Sequence, residues 1–451
     1  MTTYEKELKA LWQAHLKPRR FNAPTVISLF AGCGGSSLGY SAAGFREVLA
    51  VEYDATAVES FLANFPEVPI WGDDIGLLSV DEALSIAQLK RGELNLLDFS
   101  PPCQADSRAG NQDLNDPRSR LWKEATRLLE GMKPKHFVME AVPGLISPKL
   151  RPKLDAQLET FHKCGYQVVW ATLCAADFGV PQKRRRVIFH GVRNDLNIVP
   201  LLPSGHGRHR TVADAWAGLP PFQYRSTTKG QLATLVTQIK PGRTGRDTNL
   251  KGNYFSTKRL AWEKPAFTVC AQVSTYGGLF LHPDLDKGIS VAEVARLQSF
   301  PDEFQICGRK WDERWQQIGN AVPPLLAKAI GEVVMRQCLD SVTADISSVD
   351  CTIAPDEQPK QFPLQSIDGR NNLRNTESGR YEIIDGNCLD HIPKLPDHSI
   401  AACITSPPYA MQRKKLYGGI HKSEYPAWTV RWMQASQSTH ATPPSEQQLA
   451  A

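Results

Sequence analysis

A single cysteine in a proline-containing turn is the first residue of this sequence that suits covalent chemistry. Cys103 lies in the stretch FSPPCQADSRA, residues 99–109, behind two prolines and in front of a glutamine. A free cysteine is usually a small, inert hydrophobic side chain inside a helix or strand. Proline fixes the backbone and removes a hydrogen-bond donor, so the two prolines favour a shaped, exposed turn. A nucleophilic thiol would be displayed on such a turn, and Cys103 is our candidate nucleophile.

A glycine-rich stretch near the N-terminus predicts a turn between a strand and a helix. The run VISLF leads into AGCGG and then into a segment of helical character, SSLGYSAAGF. Glycines permit a tight turn and a close approach of the backbone to a ligand, and an acidic residue about 20 positions later can accept the ribose hydroxyls of a nucleotide. Glu52, in VEYD at the end of the next strand, meets that condition. Such a turn is equally common for packing reasons, so the glycines alone leave both interpretations open.

Two further strand ends strengthen the nucleotide interpretation. Asp74 in GDDI follows the third predicted strand and is able to accept a hydrogen bond from an adenine amino group. The run LLD ends the fourth strand just before FSPPCQ. Ligands of open α/β sheets lie outside the carboxyl ends of the strands. These positions predict an adenosine cofactor across that edge, with Cys103 beside it.

Alternating apolar runs and helical segments predict the architecture that positions these residues. From Val26 onward the runs VISLF, VLAVEY, LLDFS, FVME and VIFHGV alternate with segments such as LWKEATRLLEGM, residues 121–132. This alternation is typical of an α/β fold with a mostly parallel sheet and helices on its faces. Gly, Pro, Thr and basic residues replace the pattern between about Asn194 and Thr268, and helical spacing resumes with VAEVARLQSF and AVPPLLAKAIGEVVMRQCL.

Composition is that of a globular protein and excludes several other classes. The 451 residues are 41% hydrophobic, and a chain of this length is expected to hold about two to three domains. The N-terminus lacks the apolar core of a signal peptide and no run of about 18 apolar residues occurs, so we expect a cytoplasmic protein without membrane contact. The ten cysteines include no CxxC pair, which predicts free thiols and no metal site.

The distribution of charge is more informative than its total. A net charge of +5 does not by itself indicate a nucleic-acid partner. Basic residues nevertheless cluster in QKRRR (182–186), in HGRHR (206–210) and in the stretch 240–259. A solvated surface explains any one of these runs as well as a phosphate contact does, so only their clustering points to an anionic partner.

Five motifs, in the order FAGCGG, PPCQ, QKRRR, ARLQSFPD and QIGNAVPPLLAKAIG, carry a family resemblance. Over about Thr25 to Leu339 the sequence resembles the DNA methyltransferases that modify carbon 5 of cytosine. The resemblance implies a Rossmann-like α/β methyltransferase fold with a small inserted target-recognition domain, and S-adenosyl-L-methionine as the cofactor. The cofactor-binding residues expected from the strand ends and the resemblance are Phe30, Gly32, Gly34, Gly35, Glu52, Asp74, Ile75, Pro101 and Asn320.

The chemistry of that family gives Cys103 its expected role. A thiolate that adds to carbon 6 of cytosine pushes electron density onto carbon 5, which then attacks the methyl sulfonium; covalent catalysis divides one difficult step into easier ones. The resemblance assigns Glu140, in VMEAVPGL, to N3 and the exocyclic amine of the base. In the pattern QxRxR it assigns Arg186 to the carbonyl oxygen of the base and Arg184 to organising the loop.

Each of these residues also has a structural interpretation. Cys103 suits a buried thiol and Glu140 a surface carboxylate, and the two arginines suit ion pairs or phosphate contacts. Asn320 suits the cap of a helix whose first turn holds the prolines of QIGNAVPP.

The sequence departs from the family pattern at two positions. Asp106 stands where the family usually has an aromatic ring. Ala141 stands where it has an asparagine whose amide hydrogen-bonds the loop of the cysteine. A looser site is expected to slow the chemistry, although neither change removes a reacting group.

Double-stranded DNA is the expected partner. A cytosine inside a duplex cannot present carbon 6 to a thiol, so the target base must rotate out of the stack. The resemblance places target recognition in residues 195–268, whose Arg, Lys, Asn, Gln and Thr side chains suit phosphates and base edges. The expected DNA-binding residues are Gln104, Ser107, Gln182, Arg243 and Arg246.

The C-terminal part of the chain carries a second resemblance. TSPPY, within residues 381–435, resembles the start of the methyltransferases that modify exocyclic amines, at N4 of cytosine or N6 of adenine. The chain ends before the cofactor strand that follows this motif in that class, so a truncated second enzyme and a degenerate docking tail are equally open. The expected domains are an N-terminal arm (1–24), a catalytic domain in two parts (25–194 and 269–340) around the recognition region (195–268), a linker (341–380), this fragment (381–435) and a disordered tail (436–451).

We therefore expect a DNA (cytosine-5-)-methyltransferase with a specific duplex target, serving as the modification enzyme of a restriction-modification system. The alternatives are a catalytically weakened DNA-binding regulator and an RNA cytosine methyltransferase, both with the same fold. Candidate partners besides DNA are a cognate restriction endonuclease and a separately encoded second methyltransferase half.

Overall fold

The computed structural model describes residues 2–102, 121–220, 225–226, 231–248, 256–271 and 279–347. The chain divides into two units, Met1–Thr352 and Ile353–Ala451, and every described residue belongs to the first. Cys103, Gln104 and Ser107 therefore lie outside the described residues, as does the whole of the predicted fragment and tail.

A seven-stranded sheet forms the centre of the first unit, with the strand order β3-β2-β1-β4-β5-β7-β6. The strands β1 to β5 are parallel, and β7 runs antiparallel to both of its neighbours. The predicted α/β fold with a mostly parallel sheet is thus confirmed. The strands are β1 (Thr25–Leu29), β2 (Arg46–Val51), β3 (Ile70–Trp71), β4 (Leu96–Phe99), β5 (His136–Ala141), β6 (Tyr166–Cys174) and β7 (Arg185–Arg193).

Helices cover both faces of this sheet, because alternate residues of each buried strand point to opposite sides. Val26 and Val138 face a core shared with α1, α2 and α11. Ile27 and Phe137 face a second core shared with α4, α5 and α6. The helices are α1 (Thr3–His15), α2 (Gly35–Ala42), α3 (Ala55–Asn64), α4 (Val80–Ala87), α5 (Leu121–Met132), α6 (Arg151–Lys163), α7 (Val212–Trp216), α8 (Gln231–Gln238), α9 (Val291–Leu297), α10 (Trp311–Asn320) and α11 (Pro324–Ser347).

The N-terminal segment expected to be an arm contributes a helix to the core. Thr2 caps α1 reciprocally with Glu5, as in a capping box. Tyr4 is buried, and its hydroxyl donates to the carbonyl of Arg296 at 2.7 Å. Helix α1 therefore joins the first residues of the chain to α9.

The C-terminal helices of the described part are core helices. The stretch Trp311–Leu339 is long and apolar enough to cross a membrane by length and composition, yet 61% of its apolar window is buried inside the protein. Helix α11 continues to Ser347, past the predicted start of the linker at residue 341. Burial against α2 explains its apolar composition without a membrane.

A four-stranded sheet with the order β8-β11-β10-β9 forms a smaller body. Two of its strands come after Thr268, so this sheet crosses the boundary predicted for the recognition region. Its apolar core consists of the buried side chains Leu235, Val236, Ile239, Leu279 and Leu281. The strands are β8 (Arg225–Ser226), β9 (Lys258–Arg259), β10 (Phe280–Leu281) and β11 (Lys287–Gly288).

A buried guanidinium supplements this small core. Arg259 Nε donates to the carbonyl of Ile239 at 2.6 Å, and Nη2 donates to that of Val236 at 2.6 Å and to the carboxylate of Asp286. Nη1 donates to the carbonyls of His282 at 2.9 Å and Leu285 at 2.8 Å. All five N–H donors of the side chain are used. Arg259 therefore joins α8, β9 and the turn after β10.

We expect Arg259→Ala to unfold the small sheet and to leave the seven-stranded sheet intact. Removing the guanidinium leaves buried carbonyls without a donor, which costs roughly 3–5 kcal/mol. Hydrogen exchange read by mass spectrometry should show lost protection around β9 and β10, with β1 and β4 unchanged. Arg243→Ala, at an exposed position of the same basic stretch, is the matched control. Equal protection of β9 in both variants would contradict this role.

Candidate active site

The loop after β1 has a backbone that suits a close ligand. Phe30 has φ 58°, and Gly32 and Gly34 have φ 55° and 97°, so all three lie in the left-handed region. A Cβ on Gly34 would lie 2.5 Å from the ring of Phe65, and one on Gly35 would lie 2.5 Å from the carbonyl of Val322. A non-glycine residue at such φ values stores strain, which is common at ligand sites. Positions 34 and 35 therefore require glycine, as the corresponding turn of a nucleotide-binding loop does.

Glu52, at the end of β2, holds this loop in place. Its Oε2 accepts from the amide of Gly32 at 2.8 Å, and Oε1 accepts from the amides of Tyr53 and Asp54, each at 2.9 Å. Burial raises the pKa of Glu52. The carboxyl predicted to bind ribose is thus also a support for the glycine loop.

Asp74 and Ile75 follow β3 on the same edge of the sheet. Asp74 Oδ1 accepts from the amide of Gly76 at 2.8 Å and caps the 3-10 turn Ile75–Leu77. The Asp74 side chain is exposed, and among the described residues nothing donates to its Oδ2. Ile75 is buried at the base of the turn. An acceptor therefore remains available to a ligand, as predicted from the sequence.

Glu140 and Arg186, the residues expected to contact the base, form an ion pair. Glu140 lies on β5 and Arg186 on the antiparallel β7, where the register pairs Glu140 with Ile188. Arg186 Nε approaches Glu140 Oε1, and each side chain is 12% exposed. Strand β4 pairs with β5, which carries Glu140, and β4 ends at Phe99, four residues before Cys103 in the sequence. The Glu140 carboxylate and the Arg186 guanidinium, both largely shielded from solvent, stand at the carboxyl edge of the sheet, where the cysteine is expected.

Arg184 is fully buried and joins two distant segments. Its Nη1 donates to the carbonyl of Val269 at 2.7 Å, and its Nη2 donates to that of Gly319 at 3.0 Å. Burial and then the charge of Arg186 lower the pKa of Arg184 to about 9, so it stays charged at neutral pH. This buried position fits the loop-organising role, and it keeps the Arg184 side chain from contacting a nucleotide base directly.

Gln182 does not fit the DNA contact predicted for it. The side chain is fully buried, with Nε2 donating to the carbonyl of Leu297 at 3.1 Å and to the amide oxygen of Gln298. Its Oε1 accepts from the amide of Val269 at 2.8 Å. The prediction is wrong because the amide has no polar group left for a phosphate or a base edge. Gln182 instead fixes the start of the segment that carries both arginines.

The remaining predicted site residues are Asn320, Pro101, Arg243 and Arg246. Asn320 is exposed at the end of α10, and α11 begins only at Pro324, so the alternative that Asn320 caps the following helix is wrong. Pro101 is buried at the end of β4. Arg243 and Arg246 are exposed around the 3-10 turn Gly245–Asp247. Within the described ranges, no group of three or more His, Cys, Asp or Glu side chains is placed to hold a metal ion.

Comparison with known proteins decides the family. A family model described as C-5 cytosine-specific DNA methylase matches residues 24–268 and 227–336. Type II methyltransferase M1.HphI of Haemophilus parahaemolyticus is 34% identical over 333 residues, which cover 69% of this chain and 87% of the relative. Type II methyltransferase M.DdeI of Desulfomicrobium norvegicum is 31% identical over 369 residues, covering 68% and 87%. This chain belongs to the C-5 cytosine-specific DNA methylase family.

Solved structures show the same fold as this methylase. A protein described as a DNA modification methyltransferase from an E. coli prophage superposes with a TM-score of 0.58 at 23% identity, covering 71% of this chain and 99% of its own. A DNMT2 mutant of Spodoptera frugiperda gives 0.52 at 16% identity, covering 69% and 99%. The Rossmann-like methyltransferase fold is thereby confirmed. The methylase is a DNA cytosine-5-methyltransferase, as its motifs predicted.

Three exposed residues of the methylase escaped the sequence analysis. Lys183 and Arg185 are exposed, whereas Gln182 and Arg184 between them are buried. The strand period of two in QKRRR is the signal that separates these two sets. Tyr53 follows Glu52 directly, and its ring is 75% exposed. An exposed aromatic ring next to Glu52, the residue predicted to bind ribose, suits a stacked adenine.

We expect the double variant Lys183→Ala, Arg185→Ala to bind duplex DNA more weakly. If both cations contact phosphates, the slope of log affinity against log salt falls by about two units, while affinity for the methyl donor is unchanged. Binding titrations at several salt concentrations measure both. The control is Lys90→Ala, Arg91→Ala, which removes the same charge from exposed positions near the opposite edge of the sheet. Equal losses in both double variants would contradict a local phosphate contact.

Proposed function

We propose that this methylase transfers a methyl group from S-adenosyl-L-methionine to carbon 5 of cytosine within a specific duplex sequence. The observation that carries the proposal is the Glu140–Arg186 ion pair at the edge where β4 leads to Cys103. The relatives' name, Type II methyltransferase, supports a role as the modification enzyme of a restriction-modification system. A cognate restriction endonuclease is then the expected functional partner.

The residues at the carboxyl edge of the sheet fit S-adenosyl-L-methionine. Gly34 and Gly35 let the loop pack closely against Phe65 and Val322, whereas the space around Gly32 is open, with nothing within 4 Å of an added Cβ, and a ligand can approach the backbone there. Asp74 offers an acceptor for an amino group and Tyr53 offers a ring face. When bound there, the cofactor supplies an electrophilic methyl group.

Cys103, Arg186 and Glu140 have separate roles in the proposed reaction. The thiolate of Cys103 forms a bond to carbon 6, and the electron density that moves to carbon 5 forms the bond to the methyl carbon as the bond between that carbon and the sulfonium sulfur breaks. Transfer of the carbon-5 proton to water then restores the ring and breaks the bond between carbon 6 and the Cys103 sulfur, which returns as the thiolate. Arg186 stabilises charge at the carbonyl oxygen of the base, and Glu140 binds its N3 edge. Both act strongly because they are shielded from water.

The small sheet is the proposed reader of the DNA target. Thr244 caps the turn that carries Arg246 and accepts from the amide of Arg246 at 3.3 Å, and Arg243 is exposed beside it. Arginine forms paired hydrogen bonds to guanine or to phosphate. The region 195–268, together with β10 and β11, therefore contains a folded platform with outward-facing cations.

The two alternatives are not favoured. A DNA-binding regulator without turnover was suggested by Asp106 and Ala141, yet the acid and the arginine expected to contact the base stand together. RNA methylation by the same fold finds no support in the named relatives, which are Type II methyltransferases. Ala141 is buried in β5 beside the pair, so its missing amide bears on rate more than on the reaction itself.

The thiol assignment is tested with DNA in which every cytosine carries fluorine at carbon 5, so the target need not be known. Fluorine blocks the final elimination, and the enzyme should stay bound to the DNA after denaturation when the methyl donor is present. Cys103→Ser should form no such adduct. The matched control is Cys270→Ser, which removes an exposed thiol elsewhere and should react like the wild type. An undiminished adduct in Cys103→Ser would refute the assignment.

A further inference from the structure

The interface between α2 and the sheet contains polar groups where apolar side chains are usual. Ser36, Ser37 and Tyr40 of α2 are buried, and they face strands β4 and β2. Asp98, in the middle of β4, is 4% exposed. Buried carboxyl and hydroxyl groups persist only when they are hydrogen-bonded, so these groups call for a structural reason.

The hydroxyl groups of α2 bind a carboxyl group on each side of β1. Tyr40 Oη donates to Asp98 Oδ1 at 2.9 Å, and the hydroxyl of Ser36, one helical turn away, also bonds Asp98. Ser37 Oγ donates to Glu47 Oε1 of β2 at 2.9 Å. We call Ser36, Ser37, Tyr40, Glu47 and Asp98 the polar clamp. The clamp fixes one helix against two strands.

These three elements carry the parts of the site that must meet during methyl transfer. Helix α2 starts at the glycine loop, Glu52 directly follows β2, and Cys103 comes four residues after β4 in the sequence. A shift of about 1 Å between donor and nucleophile is enough to slow such a reaction strongly. The clamp lies directly under the elements whose relative position matters.

The surroundings of both carboxyl groups lack a compensating cation in the described part of the chain. Asp98 is faced by Ser36 and Tyr40 from α2 and by the charges of Glu140 from β5 and Glu47 from β2. Helix α11 packs on α2, and its charged residues Lys328 and Glu332 pair with each other.

Among the described residues Glu47 Oε2 has no hydrogen-bond partner, and Ser28 lies beside the carboxyl group from β1. Burial raises the pKa of Asp98 to about 7 and that of Glu47 to about 8.

We propose that the polar clamp is a positioning device for the methyl donor, and that ionisation of Asp98 tightens it. This inference rests on the proposed function. An ionised carboxylate accepts stronger hydrogen bonds from Tyr40 and Ser36 than a neutral carboxyl group does. Tighter attachment of α2 to β4 holds the glycine loop in its binding geometry. Affinity for S-adenosyl-L-methionine therefore increases as the pH rises through the titration of Asp98.

The free energy of unfolding changes with pH in the opposite direction to the affinity for S-adenosyl-L-methionine. The folded-state pKa of Asp98, about 7, lies above the unfolded value of about 4. The folded protein thus binds more protons than the unfolded chain between these values, and the free energy of unfolding falls as the pH rises through this window. In Asp98→Asn this fall should be reduced, because the amide does not titrate.

The experiment is calorimetric titration with S-adenosyl-L-methionine between about pH 6 and pH 8, on the full chain. We expect Tyr40→Phe to raise Kd about tenfold, and Asp98→Asn to bind with an affinity that changes less with pH than that of the wild type between about pH 6 and pH 7, below the titration of Glu47. The matched control is Tyr166→Phe, which removes a buried hydroxyl that donates to the carbonyl of Pro134 at 2.7 Å far from α2. Its Kd should equal that of the wild type even where its melting temperature falls.

The outcomes separate the inference from the proposed function. If Tyr40→Phe does not fold, Ser37→Ala provides the same comparison on the β2 side. Unchanged Kd values in the clamp variants, or a wild-type pH profile retained in Asp98→Asn, would overturn the inference while the proposed function stands. A wild-type chain that binds no S-adenosyl-L-methionine would overturn both.

Discussion

The buried guanidinium of Arg184 joins segments that lie far apart in the sequence. It binds the carbonyls of Val269, which lies between β9 and β10, and of Gly319 in the last turn of α10. Gln182 adds a bond to the backbone amide of Val269, and Gln298 binds the carbonyls of Ile318 and Ala321. Within the described part of the chain Arg184 Nε is buried without a hydrogen-bond partner, so the buried charge is held by the two carbonyl bonds of Nη1 and Nη2. Burying a charge is costly without such partners, so loss of either carbonyl would destabilise this arrangement. The geometry of the catalytic edge depends on it, because β7 begins at the next residue and carries Arg186.

Basic residues in this methylase serve two purposes that composition cannot separate. In QKRRR, Arg184 is internal and Lys183 is external. In the stretch 240–259, Arg259 is internal and Arg243 is external. Internal arginines bind backbone carbonyls and set the shape, whereas external cations remain available to phosphate. The surface charge that reaches DNA is therefore smaller and more localised than the net count of basic residues indicates.

Much of the fold could be predicted from sequence because it follows local rules. The apolar runs predicted five strands of the large sheet, and LWKEATRLLEGM predicted α5 with the bounds that the structure has. Strand β6 and the reversed direction of β7 were not predicted, since Tyr166–Cys174 is a half-buried strand without a clean apolar run. The direction of β7 is set by its pairing with β5, and no local sequence pattern encodes that pairing.

The site was predicted in its chemistry and less well in its contacts. Glu140 and Arg186 form an ion pair, which the sequence analysis did not predict, and their roles towards the base stay predictions. The error at Gln182 has a physical origin, because a glutamine in a basic motif gives no sign of whether its amide faces solvent or backbone. The polar clamp was also missed. Asp98 is a single polar residue within the apolar run LLDF, so the run still reads as a buried strand. Its partner Tyr40 lies on α2, far away in the sequence, and no local pattern links the two residues.

The most direct test of this account is the identity of the methylated nucleoside. The purified chain would be incubated with isotopically labelled S-adenosyl-L-methionine and either duplex DNA or transfer RNA, and the digested products would be analysed by mass spectrometry. The account predicts label in 5-methyl-2′-deoxycytidine from the duplex, and none in the RNA. Label in the RNA alone, or on an exocyclic amine of the DNA in place of carbon 5, would contradict it.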